Sequence, residues 1–371
     1  MKIIFFLAFF VTLGISLPVD TDTLSSIIFI GSGARTPLRS CKEIEDSKKI
    51  SWPEGYGQIT PAGLRQMYLL GRYLRKLYIE DSNFLNKIFE PSKILIRSVK
   101  QERNLMAAQS FSLGLYPSGA TLLSDDDLKN NSLWAPPFEL TIPSYVIEDL
   151  GNSSLPFDIP LVPVITYDSS SEKLLSFAEC PKYKQEWDKY FQSEKIKSFF
   201  NKHDKTLKTL IEKYNIALEN LEEGDNIHYF LDYIAAAGFQ NKIPEENVKS
   251  MQYEMYEQFF PEVKHIVLCN FSEVAKEHFE RARNNTSNGA KMLVLATDEL
   301  NVLGYLFAGQ FIEDIKGKNF DIGLSVEIRM LKKNDAYKVL ILLNGEKVKE
   351  LDYENFIKNI ESEEDCWKKL C

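Results

Sequence analysis

Three short apolar runs constrain this chain most, because each ends in polar residues and gives way to a helical pattern. Ile27-Ile28-Phe29-Ile30 runs into Gly31-Ser32-Gly33-Ala34-Arg35, Ile94-Leu95-Ile96 into Arg97-Ser98, and Met292-Leu293-Val294-Leu295-Ala296 into Thr297-Asp298. Runs of this length suit strands buried on both faces. After the first, Thr60-Pro61 reads as a helix start, a capping hydroxyl followed by proline at the first helical position. Leu64, Met67, Leu70, Leu74 and Leu77 then recur at helical spacing, with Arg65, Arg72, Arg75 and Lys76 between them. After the second run, a helix passes through Leu105, Met106, Ala108 and Leu113. Strand followed by helix, repeated, predicts an α/β fold with a mostly parallel sheet flanked by helices.

Further strands are expected from Ile159 to Tyr167, and near Ile322 to Met330 and Tyr337 to Leu343. Residues 172–262 are polar, Lys-rich and helical in period, with Leu207, Leu210, Ile211, Tyr214 and Leu218 on one face. They read as a helical cap insertion in a core made of 17–171 and 263–371.

Residues 1–16 read as a secretory signal. Lys2 precedes the apolar run Ile3 to Leu13, too short to span a bilayer, and Gly14 and Ser16 are small enough for a cleavage site. The expectation is a chain without a transmembrane segment after cleavage, in a lysosome-like organelle or outside the cell. A composition 44% hydrophobic and 26% charged suits a globular product. The formal charge of −9 and the absence of a basic stripe argue against a nucleic-acid partner.

Entry to the secretory route makes Asn130, Asn152, Asn270, Asn284 and Asn285, each in an Asn-x-Ser/Thr triplet, glycosylation candidates. It also favours disulfides among the five cysteines, Cys41, Cys180, Cys269, Cys366 and Cys371. The odd count leaves at least one free or bonded to another molecule, and spacing gives no connectivity. No spacing matches a zinc site and histidines number only 4, so neither a metal nor a cofactor is expected.

Ligands of such sheets bind at the carboxyl ends of the strands. Arg35, Arg97 and Asp298 all fall there, which suits an anion beside a proton donor or acceptor. Arginine's planar fork fits phosphate. Each residue also has a plainer reading: a strand-end arginine as an ion-pair partner, and Asp298 with Glu299 as a helix N-cap.

Longer motifs add a resemblance. Ile30 to Pro37 resembles the Arg-His-Gly-x-Arg-x-Pro segment of the histidine acid phosphatases, keeping Gly33, Arg35 and Pro37. Gly55-Tyr56-Gly57-Gln58-Ile59-Thr60 within Trp52 to Gly63, Leu70 to Arg75, the second arginine motif Ile96 to Gln109, Cys180-Pro181-Lys182-Tyr183, Thr297-Asp298 and the closing Trp367 to Cys371 follow in the family's order. The resemblance implies phosphoryl transfer to a histidine and release by water, with Arg35 and Arg97 as phosphate-holding residues and Asp298 as proton donor. It also implies a Cys180–Cys371 disulfide worth roughly 4 kcal/mol in the chain-entropy model, with Cys366 a competitor and no guide for Cys41 or Cys269.

Three positions depart from that pattern. Gly31 stands for the first arginine, Ser32 for the nucleophilic histidine and Thr297 for the second histidine. A serine hydroxyl needs a base, and His203, His228, His265 and His278 all lie outside the motifs. Gly31-Ser32-Gly33 does not fit the Gly-x-Ser-x-Gly nucleophile elbow either. Loss of a nucleophile costs on the order of 10⁶ in rate in other hydrolases, and each lost charge-stabilising donor on the order of 10² to 10³. The expectation is an inactive relative whose Arg35 and Arg97 still bind phosphate or a phosphorylated small molecule. The alternatives are a phosphomonoesterase with altered chemistry, and a structural or interaction protein.

Overall fold

The computed structural model describes residues 18–19, 21–119, 122–129, 143–168, 171–244, 248–284, 289–311, 323–362 and 366–371. The expected signal segment 1–16, Asn130 and Asn285 lie outside them.

Seven strands form one sheet in the order β3-β2-β4-β1-β5-β6-β7. They are β1 (Thr23–Ile30), β2 (Ile94–Val99), β3 (Val164–Tyr167), β4 (Met292–Ala296), β5 (Ser325–Lys333), β6 (Ala336–Leu343) and β7 (Glu346–Asp352). β3, β2, β4 and β1 are parallel, with Ile30 opposite Ala296 and Ser98 opposite Ala296 from the other side. β5, β6 and β7 join antiparallel. The carboxyl ends of β1, β2 and β4 therefore lie side by side.

Both faces of β1 are covered, as its unbroken apolar run requires. Ile28 and Ile30 pack into the layer with Met67, Leu74, Ala108 and Phe111. Ile27 and Phe29, one residue out of phase, join the opposite layer with Phe271, Tyr305 and Phe307. The first layer is built by helices Pro61–Arg75 and Glu102–Leu115. Thr60 caps the former, its hydroxyl accepting from the Gly63 amide at 3.2 Å. The two helices touch through glycine: a Cβ on Gly71 would lie 2.1 Å from the Phe111 carbonyl oxygen, and one on Gly114 2.0 Å from that of Tyr68.

Between β3 and β4 the described chain is mostly helical, with helices Pro181–Phe191, Glu194–Tyr214, Asn226–Phe239, Lys249–Phe259 and Cys269–Arg283. Leu207, Leu210 and Tyr214 are buried as one face of the second, whereas Leu218 starts a separate short helix and is 39% exposed. Disulfides join Cys180 to Cys371 and Cys269 to Cys366, which leaves Cys41 unpaired. No helix among the described residues is long and apolar enough to cross a membrane.

Two strand boundaries differ from the sequence reading. The run expected from Ile159 forms a ladder only from Val164, because Pro160 and Pro163 each lack the amide a ladder needs. Three antiparallel strands close the sheet rather than two. β7 is a charged edge strand in which only Val348 is buried, the kind of edge that resists pairing with other chains. Asn344 and Gly345 both take positive φ, 50° and 82°, in the two-residue turn that leads into it.

Candidate ligand pocket at the strand ends

β1 ends at Ile30, and the Gly31 amide donates to the Leu324 carbonyl at 2.8 Å. Ser32 follows, wholly buried, and its hydroxyl has no partner among the described residues. Gly33 then turns the chain at φ 75°, where an added Cβ would meet the Gly63 carbonyl oxygen at 3.0 Å. This turn delivers Arg35 to the face of helix Asn226–Phe239.

Arg35 does not present an open fork. Its two terminal nitrogens donate to Asp232 at 2.6 and 3.2 Å. Asp232, buried on that helix, also accepts from the Leu38 amide at 2.8 Å. Burial alone would raise the Asp232 carboxyl, but the Arg35 charge and these hydrogen bonds hold it below the usual range.

Arg97 is filled the same way. It donates to Glu172 at 2.9 and 2.7 Å, and its guanidinium lies 4.6 Å from the centroid of the Tyr167 ring. Glu172 is wholly buried and accepts from the Leu174 and Leu175 amides at 3.0 and 2.9 Å. Thr297, at the end of β4, donates to the Leu175 carbonyl at 3.2 Å and accepts from Asn301 at 2.9 Å. Segment 172–175 therefore stitches the ends of β2 and β4 together.

Asp298 occupies the N-cap position of helix Glu299–Ala308, yet its side chain makes no capping bond. Arg103 instead donates to both carboxylate oxygens at 2.8 and 2.7 Å, and Asn104 adds a bond at 3.0 Å. Burial would raise this carboxyl; Arg103 and Asn104 pull it below its ordinary value.

Glu299 borders the space beside Gly31: a Cβ on Gly31 would come within 2.9 Å of Glu299 Cγ. Its Oε1 accepts from the Gly323 amide at 2.9 Å, and it has no ion pair among the described residues. Burial pushes its carboxyl above the usual range.

Arg35, Asp298 and Glu299 line a pocket of about 100 Å³, together with Asp232 and His228 from the facing helix. Arg97 is not among its lining residues. None of the histidines bonds Ser32. His228 contacts the Tyr256 hydroxyl at 3.1 Å, His203 contacts Glu254, His278 contacts the Ser26 carbonyl, and His265 is exposed. Among the described residues no group of three or more His, Cys, Asp or Glu is placed to hold a metal ion.

The model of the histidine phosphatase superfamily (branch 2) matches residues 20–279. The chain belongs to that superfamily. Bovine prostatic acid phosphatase is 30% identical over 155 residues, 41% of this chain and 32% of that one. Xenopus laevis lysosomal acid phosphatase is 31% identical over 147 residues, 40% of this chain and 31% of that one. These matches thus span about a third of the curated relatives' length. Among solved structures, Klebsiella sp ASR1 phytase superposes with a TM-score of 0.61 at 9% identity, covering 91% of this chain and 95% of that one. Hafnia alvei phytase in complex with tartrate gives 0.60 at 11%, covering 93% and 98%. At such identity the likeness concerns the fold, which is the mixed α/β sheet described above.

Sequence reasoning singled out Arg35, Arg97 and Asp298 but missed what holds them. Arg103 lay inside the second arginine motif and was legible there as a basic residue. Nothing local marked Asp232 or Glu172.

Proposed function

We propose that this chain is a degenerate, catalytically inactive member of its superfamily, with Ser32 at the nucleophile position and its arginines neutralised from within. The observation that carries this reading is the pairing of Arg35 with Asp232 and of Arg97 with Glu172, each through two hydrogen bonds. Phosphate would have to displace a buried carboxylate from either fork. We therefore propose that Arg35 and Arg97 act as ion-pair partners rather than as the phosphate holders expected from the sequence. A further feature agrees: the Ser32 hydroxyl bonds no base among the described residues.

The relatives bear the names prostatic and lysosomal acid phosphatase, and with the apolar leader they support a place in the secretory pathway, lysosomal or extracellular. The helices of 172–262 act as a cap over the strand ends. Asn152 and Asn284 are exposed and open to glycosylation, whereas the Asn270 amide is engaged with the Lys173 carbonyl at 3.1 Å.

Hydrolysis of an aryl phosphate at acid pH tests the proposal. Wild type is expected to match a protein-free blank, and the triple variant Gly31→Arg, Ser32→His, Thr297→His to set the scale of any regained turnover. Wild-type turnover that disappears in Ser32→Ala would establish the rival reading, an active phosphomonoesterase with altered chemistry.

A further inference from the structure

Among the residues that line the pocket, two cations, Arg35 and Lys249, face three acids, Asp232, Asp298 and Glu299. Arg35 is matched by Asp232 and Arg103 by Asp298, both bidentate. Glu299 accepts from the Gly323 amide and has no ion pair among the described residues. Its Cγ packs against Gly31, where an added Cβ would come within 2.9 Å. The walls above it are Tyr253, Tyr256, Leu300 and Leu303, an apolar and aromatic surface of the sort that accompanies a cation. Lys249 also borders the pocket, and its ammonium lies 5.7 Å from the Phe239 ring centroid. His228 is held neutral by burial, which lowers its pKa, so it adds no positive charge.

We propose that this pocket binds a small organic cation, an ammonium group on a compact apolar body, with Glu299 as its counter-ion. The inference rests on reading the pocket as no longer a phosphate site. The ammonium donates to the Glu299 carboxylate, and the apolar body packs against Leu300, Leu303 and the two tyrosine rings. A volume of about 100 Å³ limits the ligand to roughly a single ring or a short branched chain. The carboxylate gains a partner that the fold itself does not supply, and a charge-assisted hydrogen bond in a half-buried site is among the stronger polar contacts.

Calorimetric titration of the full chain at neutral pH tests this, with benzylamine as probe and benzyl alcohol and inorganic phosphate as controls. Benzylamine is expected to bind, and benzyl alcohol and phosphate to give flat traces. Glu299→Gln, nearly isosteric, is expected to weaken benzylamine by about tenfold or more, the scale of one lost charge-assisted contact. Leu303→Trp, which fills the cavity and keeps the charge, abolishes binding; thermal melts check that both variants fold. A flat benzylamine trace with wild type overturns the proposal. So does equal binding by Glu299→Gln, or equal binding of the alcohol. Aryl phosphate turnover is not part of this readout, so a flat amine trace without turnover removes the cation site alone.

Discussion

Arg35 and Asp232 lock the first strand-end loop to helix Asn226–Phe239 through hydrogen bonds of 2.6 and 3.2 Å, with side chains only 14% and 7% exposed. Gln240 reinforces the junction by donating to the Arg35 carbonyl at 2.8 Å. The arginine that resembles a phosphate holder thus works as a clamp between helical segment and sheet. Breaking a buried pair leaves an uncompensated charge, at a cost of about 3–5 kcal/mol. Asp232→Ala is expected to destabilise by that amount in urea unfolding. The double variant Arg35→Met, Asp232→Leu is expected to lose less than the single, because no orphan charge remains.

The contact of helices Pro61–Arg75 and Glu102–Leu115 leaves no room for a methyl group at Gly71 or Gly114. Either Gly→Ala change forces the two backbones apart. Overpacking of this sort costs about 1–3 kcal/mol, and improved helix propensity returns about 1 kcal/mol at most. Chemical denaturation is expected to show net destabilisation for both variants.

The elements recovered from sequence are those whose signal is local. Ile27–Ile30 and Met292–Ala296 declare buried strands by apolar runs alone, and Thr60-Pro61 declares a helix start by cap chemistry. β7 was illegible because a charged edge strand reads as a loop until its partner β6 is known. The carboxylates were illegible for a different reason. Asp232 lies 197 residues from Arg35 and Glu172 lies 75 from Arg97, and no spacing rule reports which distant acid an arginine will meet. Asp298 was weighed as an N-cap and a proton donor, yet its oxygens went to Arg103 and Asn104.

His278 makes the fold sensitive to mild acid. Burial lowers its pKa to about 4, and its Nε2 donates to the Ser26 carbonyl on β1 at 3.1 Å. The unfolded chain, with an ordinary histidine pKa of about 6.5, binds that proton first. Stability is therefore present in full above pH of about 6.5 and falls as pH drops toward 4, by at most about 3 kcal/mol. His278→Gln is expected to flatten this limb when unfolding free energy is measured against pH. Asp232 and Asp298, both lowered, act only further down: their contribution persists above the unfolded carboxyl value of about 4 and is lost below it.

The disulfide pattern predicts one free thiol, Cys41. Burial and the neighbouring acids Glu43 and Glu45 push it up to about 12, with the Ile44 backbone opposing. Alkylation of native protein near pH 8 is expected to be slow, because the thiolate is the reactive form. One equivalent is expected to react on denaturation without reductant, and peptide mapping should place the label on Cys41. Cys371→Ser breaks the bond closing a loop of sequence separation 191, and the expected loss is about 2–4 kcal/mol.

No side chain at the end of β1 is expected to carry a phosphoryl group, because the Ser32 hydroxyl bonds no base among the described residues. Intact-mass spectrometry of wild type, quenched in acid while aryl phosphate is in excess, measures this directly. A single species at the unmodified mass is the predicted result. A phosphoryl adduct within the pocket, absent from Ser32→Ala, would contradict the account.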